Sequence, residues 1–264
     1  MSKTTSISSL GLWLQRLLAA TFLAGQVLLH LFNRKIHRRN TLEQMATVGP
    51  ESLMIAMLTA TVIGMVFTIQ TAREFLNFGA GSAVGGVLAL ALTRELAPVM
   101  TAVVLAGRVG SAFAAELGTM RVTEQIDALY MLKTDPIDYL VIPRVIACFL
   151  MLPILTILAI IFGMTGGLLV TITFYGNSIT QSMFLDSASD LLKSWDLCAA
   201  ALKAFCFGIL IAVIGCSWGL TTTGGAKGVG QSTTTAVVTA LLAIFIANFF
   251  LTWLMFPGTG TSTL

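Results

Sequence analysis

Apolar residues run along this chain in long blocks, without the alternation expected of a half-buried strand. Five blocks, Glu51 to Phe75, Ser82 to Ala115, Val141 to Phe174, Leu197 to Leu220 and Thr233 to Phe256, are each long enough to cross about 30 Å of hydrocarbon as a helix, which takes roughly 20 residues. A sixth, Leu10 to Phe32, is interrupted by Gln15, Arg16 and Gln26. It fits either an additional span or an elbow helix lying in the membrane interface. No fixed-period repeat, low-complexity tract or linker divides the blocks, so the pattern predicts an all-α membrane protein forming a single domain over residues 1–264.

The charges between blocks orient them. The basic cluster Arg34, Lys35, Arg38 and Arg39 is expected on the cytoplasmic side, because Lys and Arg accumulate there. Counting from it, Asn77 to Gly81 is an external turn, Glu116 to Leu140 is cytoplasmic, Tyr175 to Asp196 is external, Thr221 to Ser232 is cytoplasmic, and the C-terminus lies outside. Arg121, Lys133, Arg144 and Lys227 then fall inside. The external segment carries Asp186, Asp190 and Asp196 against Lys193.

Composition narrows the class further. The chain is 56% hydrophobic and 10% charged, against about 25% charged residues in soluble domains, which excludes a water-soluble globular fold. A net charge of +3 is too small and too scattered for a nucleic-acid partner. Cys148, Cys198, Cys206 and Cys216 all sit in apolar blocks with no metal-ligand spacing and are expected to be small core residues. Met1 to Ser9 has neither the cleavage pattern of a signal peptide nor an Arg-rich transit character, so no removal is expected.

Arg94 and Glu95 lie roughly a dozen residues below the external turn, which at 1.5 Å per residue is near mid-membrane. Charges there are expensive and face protein or a water-filled cavity, so the pair is a candidate functional site. Arg73, Glu74 and Lys203 are read as snorkelling or paired interfacial groups, and Arg108 and Glu116 as structural. In the same span Ala102, Ala106, Gly110 and Ala114 recur every four residues, with Gly107, Ser111 and Ala115 beside them. Small residues at this interval let helix backbones approach, either within the chain or against a second subunit.

Between the second and third blocks, a short amphipathic helix near residues 123–134 is predicted. Thr123 is its expected N-cap, Glu124 and Asp127 suit the positive end of its dipole, Lys133 the other end, and Asp135-Pro136 stops it. Ile126, Leu129 and Tyr130 share a face. The helix is either a lid on the membrane or a contact for a soluble partner. ATP binding by this chain is not expected: Gly224-Gly225-Ala226-Lys227-Gly228 lacks the Gly and hydroxyl positions of a P-loop. His30 and His37 form no catalytic or metal pattern, so neither an enzyme, a cofactor nor a metal is expected.

The run Leu92-Thr-Arg-Glu-Leu-Ala-Pro98, then Leu105-Ala-Gly-Arg-Val-Gly-Ser111 and Ala115-Glu-Leu-Gly-Thr-Met-Arg-Val-Thr-Glu-Gln-Ile-Asp127, strongly resembles the MlaE family, the permease subunits of lipid-moving ABC transporters that work with MCE-domain proteins. The likeness continues through Asp135-Pro136, Pro143-Arg144, Pro153 and Gly228-Val-Gly-Gln-Ser-Thr-Thr-Thr235. It covers nearly all of the chain from about Gly64. The tracts Gln70 to Gly79 and Ala128 to Asp135 look most like the cyanobacterial and plastid-type branch, whose plastid members supply lipid to thylakoid-building pathways; Glu74 is a departure, being charged where relatives are often apolar.

The resemblance implies an N-terminal interfacial elbow, five transmembrane helices, a homodimer, a separate cytoplasmic ABC ATPase, and an MCE-domain protein on the external side. It implies that Glu124, Ile126, Asp127, Leu129, Tyr130 and Lys133 lie on a coupling helix docking on the ATPase. It implies a lipid cavity between the first, second and last spans at Arg94 and Glu95, with Phe67, Gln70, Thr71 and Phe78 as wall residues. The location implied is a bacterial inner membrane or plastid inner envelope. A secondary transporter or a membrane scaffold without an ATPase is the alternative, although a transporter of that kind would spread its ionisable groups over several spans.

Overall fold

Long apolar runs make helix the favoured state, because it satisfies nearly every backbone N–H and C=O locally, a necessity in hydrocarbon; Pro98 and Pro153 interrupt two of them without ending the helix. The computed structural model describes residues 9–33, 38–176 and 178–256, and among them no strand occurs. The helices are α1 (Ser9–Asn33), α2 (Arg38–Val48), α3 (Pro50–Asn77), α4 (Gly81–Val122), α5 (Gln125–Met131), α6 (Ile137–Tyr175), α7 (Gln181–Leu191), α8 (Ser194–Leu220) and α9 (Gly225–Met255). Five described helical stretches, those of α3, α4, α6, α8 and α9, are long and apolar enough to cross a membrane, and α1 has a shorter apolar stretch, Arg16–Val27. The protein is thus an all-α integral membrane protein. Of the basic cluster, Arg34 and Lys35 lie outside the described residues, as do His37 and the C-terminal residues.

Three boundaries differ from the sequence pattern for identifiable reasons. Residues taken as loop before Thr233 are helical from Gly225, directly after Gly224 and Gly225 turn the chain at positive φ. The polar run is accommodated in the helix, its hydroxyls bonding back to carbonyls one turn earlier, as from Thr233 to Gly230 and Thr235 to Gln231. The segment taken as an external loop contains α7, started by Thr180, whose Oγ1 accepts from the Met183 amide. Finally, α2 occupies the stretch read simply as a basic loop.

The chain packs as two units, each built from interleaved segments. The first comprises Met1–Gln44, Ala106–Ala147 and Ile209–Leu242. Within it Gly110 and Ala114 of α4 lie under Gly215 and Gly219 of α8: a Cβ on Gly215 would stand 2.9 Å from the Gly110 carbonyl oxygen. Ala106 and Ala114 are fully buried there, whereas Gly107 is exposed, with nothing near the place of its missing Cβ. Buried Arg144 donates to Glu116 and to the Leu140 carbonyl, both at 2.8 Å, and lies over the Phe113 ring.

The second unit comprises Met45–Leu105, Cys148–Gly208 and Ala243–Leu264. Ala72, Val84, Leu88, Leu92, Ile179 and Phe184 form its buried cluster, and Ala102 is buried. Here α3 crosses α6 backbone to backbone, because Gly64 lies directly on the Gly163 carbonyl. Gly64→Val should therefore lower thermal stability in detergent, by about 1–3 kcal/mol for overpacking, while Gly25→Ala, where a Cβ meets nothing within 4 Å, should not. An unchanged Gly64→Val melting curve would show that the close crossing is dispensable.

Of the four cysteines, Cys148 and Cys216 are buried, Cys206 is half-buried and Cys198 is exposed, and all are free thiols. Cys198 departs from the core expectation because it sits on the outer face of α8. Apolar stripes stay exposed on α3 (Met54, Leu58, Val62, Val66) and on α9 (Val238, Leu242, Phe245, Phe249, Trp253), faces suited to lipid or a second apolar surface.

Candidate functional site

In the second unit, Arg94 and Glu95 stand in a π-helical turn, Leu92–Leu96, in the middle of α4. Such wide turns inside α-helices concentrate at functional sites. The local cause is Pro98: it has no N–H to offer the carbonyl four residues earlier, which is that of Arg94. Lys203 of α8 takes up the orphan, its Nζ donating to Arg94 O at 2.7 Å. The same ammonium donates to Glu95 Oε1 at 2.9 Å and to Thr252 Oγ1 at 2.7 Å. Thr252 in turn donates to Glu95 Oε1, and Asn248 Nδ2 donates to Glu95 Oε2 at 2.7 Å.

Arg94 points the other way. Its Nε donates to Asp196 Oδ1 at 2.8 Å, and its guanidinium lies 4.6 Å from the Phe256 ring centre. The other Asp196 oxygen accepts the Lys193 amide, so this carboxylate caps the start of α8 in the manner of a capping box while holding Arg94. Two cations and two carboxylates thus balance. Lys203 and Asp196 are buried, at 0% and 1% exposure, but the Arg94 and Glu95 side chains keep 37% and 39%. Asn248 Oδ1 is a buried acceptor with no partner among the described residues. No nucleophile and base are paired here. The arrangement is suited to binding a polar group at the edge of a rigid, buried ionic network.

The sequence reading separated these residues. Of the two readings of Lys203, snorkelling or paired, the structure shows the pair, with Glu95, and the residue is buried because three acceptors converge on its three donors. The ionisable groups of the cluster come from two helices, α4 and α8, each supplying two of the four. Asp196 and Lys203, seven residues apart, lie two turns apart on one face of α8, and Asn248 and Thr252 follow one another by a turn on α9. That spacing, with Pro98, was the available signal. The expected wall residues are distributed differently: on α3, Phe67 packs against the buried cluster, Thr71 bonds back to the Phe67 carbonyl and Gln70 is exposed, while Phe78, exposed too, follows the end of α3. Arg73 and Glu74 are exposed too.

In the first unit the short helix is α5, tighter than residues 123–134. Thr123 does not cap it. Its Oγ1 bonds back to Thr119 O at 2.9 Å, ending α4, and Glu124 occupies the N-cap position in left-handed conformation. Lys133 closes the helix, also left-handed, with its amide on Tyr130 O and the Thr134 amide on Leu129 O, the double bond pattern of a Schellman end. Asp135 accepts the Ile137 amide, so Asp135-Pro136 starts α6 as well as stopping α5. Ile126 is buried and Leu129 half-buried, while Glu124, Tyr130, Met131 and Leu132 are exposed. Asp127 pairs with Arg121 at 2.8 Å. His30 Nδ1 lies 2.6 Å from Asp138 Oδ1 and 4.0 Å from Asp135 Oδ2; these three are the described group with donor atoms close enough to share a metal ion. A separation of 108 residues hid this contact from pattern reading.

Comparison with known proteins gives a consistent picture. A family model described as Permease MlaE matches residues 41–254. A probable ABC transporter permease protein of Synechocystis sp. is 66% identical over 264 residues, the full length of both chains. The chloroplastic protein trigalactosyldiacylglycerol 1 of Arabidopsis thaliana is 53% identical over 250 residues, covering 95% of this chain and 71% of that one. A probable ABC transporter permease protein of Pyropia yezoensis is 50% identical over 250 residues, covering 95% and 94%.

Proposed function

The chain belongs to the MlaE permease family and is the permease of an ABC transporter, and on that premise we propose that it moves a phospholipid or other polar lipid between membranes, driven by a separate cytoplasmic ATPase. The observation that carries this reading is the half-exposed Arg94-Glu95 edge of a charge-balanced, buried network, on a chain whose α3 and α9 expose apolar stripes. A headgroup finds donors and acceptors at Arg94, Glu95 and Asn248. Acyl chains find apolar side chains, among which Phe67 and Phe78, with Gln70 and Thr71, are assigned to the cavity wall.

The rest of the machine follows from the same reading. The helix α5 is the coupling helix, with Glu124, Ile126, Asp127, Leu129, Tyr130 and Lys133 forming or positioning the ATPase contact on the cytoplasmic side. Exposure of Tyr130, Met131 and Leu132 supports it, since apolar side chains beyond the spans call for a partner. Two copies of the chain pair, with the row of exposed Gly107 and half-buried Ser111 and Ala115 assigned to the dimer because the neighbouring Ala106, Gly110 and Ala114 row is used internally. An MCE-domain protein covers the external side, where the C-terminus lies, in a bacterial inner membrane or plastid inner envelope. ATP hydrolysis belongs to the partner.

The experiment is a tagged pull-down from native membranes in mild detergent with mass spectrometry, followed by transfer of labelled lipid by the recovered complex. The expected result is a P-loop ATPase and a single-span MCE protein bound to a dimer, with ATP-dependent lipid transfer. An intact dimer that recovers no ATPase would overturn the reading. Lipid transfer unchanged by Arg94→Leu with Glu95→Leu, in an assembled complex, would remove the site from it.

A further inference from the structure

The first unit contains a second place shaped for an amphiphile, made of residues the transport reading does not use for cargo. It is a cleft of about 410 Å³, walled by Phe22 and Gln26 of α1, Arg121 at the end of α4, Tyr130 of α5, Ser217 in the last turn of α8 and Thr221 just after it. That volume lies within the range of sites that hold small molecules.

Its chemistry is graded. At the lip, Phe22 is 70% exposed and continues a stripe with Leu18 and Leu29, one apolar face of α1 at helical spacing. A face of this kind on a membrane protein's elbow lies against acyl chains. Partway in stands Arg121, its side chain 40% exposed and paired through one N–H with Asp127, which also lines the cleft; a guanidinium carries five N–H donors, so one carboxylate contact does not exhaust it. At the floor Ser217 is 2% exposed, and its hydroxyl has no hydrogen-bond partner among the described residues. A buried hydroxyl left unpaired is unfavourable unless something fills the space and bonds to it.

Apolar lip, cation and buried hydroxyl follow one another as acyl chain, anionic headgroup and glycerol or ester oxygen do in a membrane lipid. We propose that this cleft binds one anionic membrane lipid, as a structural or regulatory site distinct from the Arg94-Glu95 cluster. The bound lipid touches α1 and α5 together, so its occupancy fixes the helix that the transport reading assigns to the ATPase. The binding claim itself needs neither lipid transport nor an ATPase.

The test places the full chain in phosphatidylcholine nanodiscs containing a trace of phosphatidylglycerol with a photoreactive acyl chain, and maps crosslinked peptides after irradiation. Labelling is expected on residues 16–27 and 125–137, competed by added phosphatidylglycerol and not by added phosphatidylcholine. Arg121→Gln should weaken it about tenfold, the loss of one charge-assisted contact. Asp127→Asn, which frees the guanidinium, should strengthen it. Ser217→Leu should block it by filling the floor, with a melting curve confirming the fold. Equal competition by phosphatidylcholine, or labelling indifferent to Arg121→Gln, would overturn the proposal. Displacement by soluble glycerol phosphate at the same concentration as the lipid would show a free-anion site and overturn the lipid as occupant.

Discussion

Lys203→Met should be the most damaging single substitution in the second unit, lowering stability by about 3 kcal/mol and abolishing lipid transfer by the reconstituted complex. The fully buried ammonium has three donors and three acceptors, Arg94 O, Glu95 Oε1 and Thr252 Oγ1. Removing it strands a carbonyl that Pro98 has already deprived of its helical partner, and leaves the Glu95 carboxylate without its counter-charge. Breaking one side of a buried pair is far worse than removing both. Adding Glu95→Gln to Lys203→Met should therefore recover most of the stability, by removing the uncompensated charge, while leaving transfer lost. Melting curves in detergent and flux in proteoliposomes separate the two effects. A Lys203→Met protein that melts like the parent would show that the network does not hold α4 to α8. A double variant with restored transfer would show that the charges serve assembly alone.

The second large effect is expected at the tip of α5. Met131 and Leu132 are 86% and 73% exposed, so Met131→Glu with Leu132→Glu should leave the melting temperature of the isolated permease unchanged. At an apolar contact, two such replacements should weaken ATPase binding by about 2 kcal/mol or more, at least about thirtyfold. Co-elution of permease and ATPase, titrated by concentration, measures this. Undiminished binding would remove α5 from the interface and return it to the role of a lid. Tyr130 is the less suitable probe because it also walls the cleft.

Much of this molecule is legible from local pattern because each span must satisfy its own backbone in hydrocarbon. Apolar block length alone located α3, α4, α6, α8 and α9, with ends shifted by up to eight residues where a polar run continues the helix. Arg94 and Glu95 were found because charge inside such a block is conspicuous. Their partners were not: Asp196 looked like loop acidity and Lys203 like an interfacial lysine, since no pattern along one helix reports which helix it will face. The α5 helix was visible by its composition, but Thr123 was misplaced because a hydroxyl can end one helix as readily as begin the next. The lone carbonyl behind Pro98, the His30 to Asp138 contact and the buried Ser217 hydroxyl belong to no periodicity at all. Hydrophobic length is a property of consecutive residues and sets which segments enter the bilayer; ionic pairing and cavity shape join residues about a hundred positions apart, and exist when the helices have packed.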